Sequence, residues 1–395
     1  MKKNLTVLGS TGSIGMNTLD IVERHPDKYG VFALTGATQV DRMLNQCAAF
    51  RPEYAVMSQP QAAKLLKDKL KAEAIDTQVL SGETALMQVA SDPRVDIVMA
   101  AIVGAAGLSP CWSAAESGKK LLLANKEALV VGGQLFISAV TAGGAKLLPI
   151  DSEHSAIFQS LPESPEMWSS VVNKIILTAS GGPFRKRELD SLHLVTPQEA
   201  CAHPNWVMGK KISVDSATMM NKALEVIEAC YLFGMAPEQI DVIIHPQSIV
   251  HSMVQYVDGS IVAQMGTPDM RMPISYGLAW PQRIISGAPN IDFKINANMT
   301  FESLEDHGHW QRFPGLKLAW QALNAPTGTT AVLNAANEIA VELFLNLQIR
   351  FDQIFEINAS TLSAYVPQTP SGLGDLIEID QVARQKAFEI AKKIQ

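Results

Sequence analysis

Residues 5–15 read LTVLGSTGSIG, a four-residue apolar run that breaks into glycines at positions 9, 12 and 15. A short apolar run bounded by glycine reads as a strand buried on both faces, and the residues after it carry a helical pattern. Gly9 allows a tight turn, Gly12 lets a pyrophosphate approach the backbone, and Gly15 permits close contact between helix and sheet. The N-terminus of the following helix adds N–H groups and positive dipole charge. The spacing GxxGxxG is one residue longer than the usual GxGxxG, so its place after the first strand is what supports a dinucleotide site.

Working outward, apolar runs at 5–8, 31–34, 54–57, 97–100, 121–123 and 147–148 read as strands. Helical patterns fall between them near 14–25, 40–49, 60–72, 83–90, 109–117 and 127–142. That alternation predicts an α/β chain with an N-terminal Rossmann-like doubly wound parallel sheet. From 171 the grammar changes: 171–178 reads as a strand, and 248–256 with 260–265 reads as an antiparallel hairpin through Val257-Asp258-Gly259. Residues 281–314 are rich in Pro, Gly and Asn, and helical patterns return near 315–324, 329–346, 351–364 and 378–394. The expected organisation is a nucleotide domain over 1–150, a central α+β domain over 151–285, a linker over 286–311 and a C-terminal helical bundle over 312–395.

A chain of 395 residues is too long for one ordinary core, which agrees with several domains. Its net charge of −7 argues against nucleic acid or an anionic membrane as the main partner, so an anionic ligand would need local lysines. Cys47, Cys111, Cys201 and Cys230 show no paired spacing and fit a reducing, cytoplasmic setting. Gly9-Ser10-Thr11-Gly12 interrupts the first apolar run before a secretory segment could form, and the stretch 97–108 is too short to span a bilayer. Neither export nor membrane insertion is expected.

The chemistry is densest in residues 203–229, HPNWVMGKKISVDSATMMNKALEVIEA. On a helix, Asn221, Lys222 and Glu225 fall within one turn, so an amide, an ammonium and a carboxylate share a face. Upstream, LPIDSEH at 148–154 reads as a strand end on which Asp151 and Glu153 point to the same side. Two clustered carboxylates and a third on a helix suit a hard divalent cation. The second strand bears on the nucleotide: it ends Leu34-Thr35-Gly36-Ala37-Thr38-Gln39, with no carboxylate before Asp41 to hold a ribose 2′-hydroxyl. That favours NADP over NAD, and no Lys or Arg precedes Arg42.

Taken together, GSTGSIG at 9–15, LLANKEALV at 122–130, LPIDSEHSAIFQ at 148–159, SGGPFR at 180–185, the 203–229 stretch, HPQSIVHSMV at 245–254 and GTPDMRMPI at 266–274 resemble the 1-deoxy-D-xylulose 5-phosphate reductoisomerase family. The resemblance implies a cytoplasmic homodimer with an NADPH domain, a central catalytic, metal-binding and dimerisation domain with a flap near 200–210, and a helical C-terminal domain. It implies rearrangement of a phosphorylated keto-sugar followed by NADPH-dependent reduction, with one Mg²⁺ or Mn²⁺ per subunit.

By the same resemblance, Asp151, Glu153 and Glu225 are the metal ligands, while Ser180, Ser216, Asn221 and Lys222 hold the substrate phosphate. Ser152 and Lys126 contact the substrate, with Lys126 assisting proton movement or holding an oxygen anion. His203 is a lid residue, beside Trp206 and Met208, which exclude water. Lys126, Glu153 and His203 form the catalytic group, and the substrate contacts also include Glu153, His203 and Glu225. Thr11, Gly12, Ser13, Ile14, Ala37, Thr38, Gln39, Asn125, Glu127 and Gly209 contact the cofactor. Glu228 is either a support for the metal ligands or a plain helix-surface or ion-pairing glutamate, His154 is at most a support, and His245 and His251 are structural or interface residues. Relatives commonly carry Lys-Asn where this chain has Thr38-Gln39, leaving Arg42 as the nearest cation.

Two other readings use the same features. An NADP- and metal-dependent oxidative decarboxylase would need an arginine clamp for a substrate carboxylate, and only Arg185 and Arg271 could form it. A non-enzymatic NADP-binding redox sensor would not need three metal-type carboxylates or a His-Trp flap.

Overall fold

The structure, a computed structural model, describes residues 2–206 and 208–394; Met1, Val207 and Gln395 lie outside the described residues, Val207 within the expected flap. It divides into two compact units. The first comprises residues 1–128, 136–155 and 269–288, and the second residues 129–135, 156–268 and 289–395.

The first unit is built on seven parallel strands: β1 (Lys3–Leu8), β2 (Tyr29–Gly36), β3 (Tyr54–Met57), β4 (Gln78–Ser81), β5 (Ile97–Ala100), β6 (Lys120–Leu123) and β7 (Lys146–Pro149). Their spatial order is β4-β3-β2-β1-β5-β6-β7. Leu5, Val7, Leu8, Ala33, Leu34, Val98, Met99, Leu121 and Leu122 are fully buried, as strands covered on both faces must be. Between β1 and β5 the strand order reverses, and this switch point is where a doubly wound sheet opens a ligand crevice at its C-terminal edge.

Strand β4 was not expected from the sequence. Its QVLS run is partly exposed and has one neighbour at the sheet edge, so no two-sided apolar run announces it. Helix Pro60–Ala72 shows the opposite case. Pro60 sits in its first turn, and Ala63, Leu66 and Leu70 repeat at helical spacing to face the sheet. Residues 269–288 return to this unit through helix Arg271–Ala279, whose Gly277 lies so close to Ile150 that a Cβ would stand 2.6 Å from its Cδ1. Lys120 caps that helix, donating to the carbonyls of Leu278 at 2.9 Å and Trp280 at 3.3 Å. Burial, reinforced by Lys3 and Lys146, pushes the Lys120 ammonium down to about 8.

The second unit carries a four-stranded sheet of β8 (Val172–Ala179), β9 (Ile240–Ile244), β10 (Val250–Tyr256) and β11 (Ile261–Met265), ordered β11-β10-β8-β9. Strand β10 is antiparallel to both neighbours, and β8 and β9 are parallel. The expected hairpin is therefore β10–β11, turned at Gly259 with φ of +85°. Strand β9 was not expected; it closes the edge of the sheet beside β8.

Helices Thr329–Leu345, Gln353–Ala364 and Leu373–Ile394 form the C-terminal bundle. Ala336, Ala340, Phe344, Ile354, Ile357 and Ala387 pack in one apolar cluster with Phe184, Val214 and Ala217. The helix expected at 127–142 spans Lys126–Gly143, but its path breaks at Gly133, with φ 49° and ψ −137°. There a Cβ would stand 3.2 Å from the Tyr231 ring, so glycine serves both the positive φ and the close approach. Among the described residues no helix is long and apolar enough to cross a membrane.

Candidate functional site

The cofactor loop leaves β1 at the switch point. Gly9 adopts φ +79°, and a Cβ there would stand 2.5 Å from the Ala101 carbonyl oxygen. At Gly15 a Cβ would meet Ser10 Cα at 2.4 Å. Gly12, by contrast, has only the Gly9 oxygen near such an atom, at 3.4 Å. Two glycines are thus needed for packing, and the third leaves space beside an exposed backbone. Helix Ser13–Arg24 begins at Gly12 with no side-chain cap, so its first N–H groups point outward as an anion cradle.

The loop is held from behind. Gly9 N donates to Thr35 Oγ1 at 2.8 Å, and Gln46 Nε2 donates to the buried Ser10 carbonyl at 2.8 Å. Arg42 Nη1 donates to the Thr11 carbonyl at 2.7 Å, which places its guanidinium against the loop. Ala37, Thr38 and Gln39 are exposed at the end of β2.

Strands β6 and β7 are register neighbours, Leu123 opposite Pro149, so the residues after them emerge side by side. Asn125 caps helix Lys126–Gly143, accepting from Ala128 N at 2.9 Å and donating to the carbonyls of Ile102 and Gly104. Its side chain therefore holds the local loops, and Glu127 follows it in a buried position. Lys126 forms an ion pair with Asp151; the two side chains are 10% and 19% exposed.

Asp151 and Glu153 each offer a carboxylate oxygen, and these lie within 4.8 Å of each other. They do not reach that arrangement by strand alternation. Strand β7 ends at Pro149, Asp151 lies in the connection, and Glu153 stands on the first turn of helix Ser152–Ser160. Asp151 binds the helix start, its carboxylate accepting from Ser152 N at 3.2 Å and its carbonyl from Ser155 N at 2.8 Å. Ser152 Oγ donates to Glu153, and the buried His154 has Nδ1 3.9 Å from Asp151 Oδ2.

In the second unit, Ser180 lies just beyond β8. Its Oγ accepts from Gly182 N at 3.1 Å and lies 3.0 Å from His203 Nε2. His203 Nδ1 accepts from Asn205 N at 3.2 Å and Trp206 N at 3.0 Å, which assigns the imidazole proton to Nε2 and makes His203 the donor to Ser180. The serine hydrogen is then directed elsewhere.

Gly182, at φ +64°, packs so tightly that a Cβ would stand 2.7 Å from the Ser216 carbonyl oxygen. That approach seats the 180–182 turn on helix Lys210–Thr218, which begins at exposed Gly209 and carries half-buried Ser216. Met219, at φ 61°, turns the chain directly into helix Met220–Phe233. On its first turns Asn221 Nδ2 and Lys222 Nζ both donate to Glu225.

Glu225 and Glu228 are fully buried and Lys222 is 3% exposed, so Glu228 is not a surface residue. Carboxylate oxygens without thiolates are the donor chemistry of a hard divalent cation, which Asp151 and Glu153 offer in the first unit and Glu225 in the second.

One residue of the 203–206 turn, Asn205, does work that the sequence did not reveal. Asn205 Nδ2 donates to the Pro246 carbonyl at 2.7 Å and Ser248 Oγ at 3.0 Å, tying the turn down. Trp206 is half-buried, with its ring 6.4 Å from that of His251. His245 is structural: burial holds it below its ordinary pKa, its Nδ1 donates to the Thr300 carbonyl at 2.9 Å and its Nε2 accepts from Ile249 N. A position-specific signal for Asn205 would have been the His-Pro-Asn-Trp turn itself.

The two arginines available to a carboxylate clamp are both occupied. Arg185 is ion-paired with Glu302, and Arg271 with Asp269 and Asp20. Burial opposes ionisation of Glu302, but Arg185 and then His309 outweigh it and hold the carboxyl below its usual range.

Family models described as 1-deoxy-D-xylulose 5-phosphate reductoisomerase and its C-terminal domains match residues 5–133, 147–233 and 265–386. The chain is 55% identical over 383 residues to the reductoisomerase of Ralstonia pickettii strain 12J, covering 97% of this chain and 96% of that one. It is 54% identical to that of Pseudomonas fluorescens strain SBW25, covering 98% and 97%. A crystal structure of DOX-P reductoisomerase in complex with NADPH, fosmidomycin and magnesium superposes with a TM-score of 0.93 at 44% identity, covering 99% of each chain. The Zymomonas mobilis enzyme in complex with NADPH gives 0.90 at 44% identity, covering 99% of this chain and 98% of that one. The chain belongs to the 1-deoxy-D-xylulose 5-phosphate reductoisomerase family.

Proposed function

We infer that this chain converts 1-deoxy-D-xylulose 5-phosphate to 2-C-methyl-D-erythritol 4-phosphate in non-mevalonate isoprenoid synthesis. NADPH, when bound, supplies the hydride, and one Mg²⁺ or Mn²⁺ supplies positive charge that polarises the substrate carbonyl and its neighbouring hydroxyl. Asp151, Glu153 and Glu225 would hold the cation. Ser152 binds the substrate oxygens, and Lys126 holds or moves a proton at them. Ser180, Ser216, Asn221 and Lys222 take the phosphate, with Lys222 supplying the charge that an acidic chain otherwise lacks. His203 keeps its proton on Nε2 and orients the Ser180 hydroxyl, while Trp206 and Met208 exclude water.

Thr11, Gly12, Ser13 and Ile14 cradle the pyrophosphate. Ala37, Thr38 and Gln39 line the adenosine end, and Asn125, Glu127 and Gly209 the nicotinamide end. The working boundaries are those expected from the sequence: 1–150 for the nucleotide, 151–285 for catalysis and dimerisation, 286–311 as linker and 312–395 as the helical domain. The enzyme works as a homodimer in the bacterial cytoplasm, where its four free thiols stay reduced. Fosmidomycin, held with NADPH and magnesium in a family crystal structure, binds here as well.

The observation that carries this reading is the first turn of helix Met220–Phe233, where an amide and an ammonium converge on a buried carboxylate. The direct test is loss of NADPH absorbance when the keto-sugar phosphate is added with Mg²⁺ or Mn²⁺, with the product identified by mass. Oxidation that persists in excess chelator, or a product that has lost carbon dioxide, would sink it.

A further inference from the structure

Helix Lys210–Thr218 places Ser216 next in sequence to Asp215, which is 1% exposed. A buried carboxylate one residue from a phosphate contact would repel the anion unless its charge were answered. Lys211 Nζ lies 2.8 Å from Asp215 Oδ2, one helical turn away. Asn337 Nδ2 donates to Asp215 Oδ1 at 2.7 Å, and Asn358 Nδ2 donates to Asn337 Oδ1 at 3.1 Å. Asn337 and Asn358 are fully buried, on helices Thr329–Leu345 and Gln353–Ala364.

The direction of this relay is forced. An ionised carboxylate only accepts, so the Asn337 amide must turn its nitrogen to Asp215, and its oxygen is then the acceptor for Asn358. Val214 and Ala217 seat the same helix in the apolar cluster that includes Ala336, Ala340 and Ile357. Apolar contact is non-directional and fixes how deeply the helix sits, whereas a directed hydrogen bond fixes its rotation about its axis.

We propose that Asn337 and Asn358 are positioning residues for the substrate phosphate: through Asp215 they set the rotation of helix Lys210–Thr218 and thereby the aim of Ser216. This deepens the function proposed above and rests on Ser216 being a phosphate contact. The two asparagines lie more than a hundred residues from Ser216 in sequence and act without touching the substrate.

The test is steady-state kinetics of the full-length enzyme with NADPH and Mg²⁺ on four variants: Asn337→Ala, Asn358→Ala, Ser216→Ala and the swap Asp215→Asn/Asn337→Asp. The swap keeps the pair with donor and acceptor exchanged; the new carboxylate at 337 still accepts from Asn358, and the amide oxygen introduced at 215 accepts from Lys211 in place of the ion pair. Asn337→Ala should raise KM for the keto-sugar phosphate roughly 10-fold with kcat within roughly 3-fold. Its NADPH dissociation constant should not change, and the swap should return KM to within roughly 3-fold of wild type.

Folded Asn337→Ala with wild-type KM overturns the proposal, as does a parallel loss of kcat that the swap fails to restore. If Asn337→Ala does not fold, Asn358→Ala carries the same criterion, because losing its donor leaves the buried Asn337 oxygen unsatisfied and loosens the side chain that holds Asp215. Ser216→Ala separates the two levels: an unchanged KM there removes the premise, while a raised KM beside a silent Asn337→Ala removes the relay alone.

Discussion

Lys222 and Glu225 form an ion pair one helical turn apart, with side chains 3% and 0% exposed. A pair this buried is weakly stabilising as a whole but strongly destabilising when halved, because the survivor keeps its desolvation cost.

Lys222→Ala should therefore have two signatures. KM for the substrate should rise more than kcat falls, since a side chain that binds the substrate phosphate acts in ground and transition states alike. In chelator, the variant should also lose about 3–5 kcal/mol of stability from the stranded Glu225 carboxylate. Saturating Mg²⁺ should recover more melting temperature in the variant than in wild type. Thermal melts with and without metal, beside kinetics, check both. A variant that still discriminates strongly between phosphorylated and dephosphorylated substrate would place the anion site elsewhere.

Glu225→Gln and Asp151→Asn should each lower turnover by orders of magnitude at limiting metal, as each removes a charged oxygen donor. NADPH affinity should stay near wild type, because the glycine loop belongs to the other unit from Glu225 and is held by Thr35, Gln46 and Arg42 rather than by Asp151. Fluorescence titration of NADPH and a metal-dependence curve separate the two effects. Wild-type activity at limiting metal would remove that residue from the ligand set.

Gly15→Ala should abolish tight NADPH binding. The added methyl would stand 2.4 Å from Ser10 Cα and 2.5 Å from the Gly9 carbonyl oxygen, both backbone atoms that cannot swing aside. Overpacking of this kind costs about 1–3 kcal/mol, and the helix start must shift away from the loop to relieve it. Gly12→Ala, with no contact under 3.4 Å, should keep the fold while obstructing the nucleotide. Equal melting temperatures for Gly15→Ala and wild type would contradict the packing argument.

Parts of the molecule were legible because their physics is local. Strands β1, β2, β3, β5 and β6 lie inside the sheet and so carry short, mainly apolar buried runs, and Asn221, Lys222 and Glu225 meet through helical spacing alone. What was not legible depends on tertiary neighbours. Strand β4 is an edge with little to bury, and Gly133 breaks a helix because Tyr231 lies against it. Asp151 and Glu153 were recognisable as a pair, but a two-residue period fits a strand as well as it fits the loop-to-helix step they occupy. The Asp215–Asn337 bond joins residues 122 apart, and nothing in either segment alone points to the other.

Arg42 and Thr38 decide the last question, how this chain tells NADPH from NADH. Strand β2 ends without a carboxylate and exposed Thr38 carries no charge, while Lys69 is paired with Asp41, so Arg42 is the cation bonded to the cofactor loop. Its guanidinium already donates to the Thr11 carbonyl at 2.7 Å, which anchors it beside the loop without neutralising it. A fixed, solvent-facing cation gains less from a phosphate than a buried one but loses less side-chain freedom on binding it. Arg42→Ala should weaken NADPH roughly 2- to 30-fold and leave NADH nearly unchanged, and Thr38→Lys should strengthen NADPH over the same range. Dissociation constants for both nucleotides at two salt concentrations provide the measurement, since a 2′-phosphate contact at the surface should weaken as salt rises. Equal changes for NADPH and NADH would mean that Arg42 serves the loop through Thr11 and does not read the 2′-phosphate.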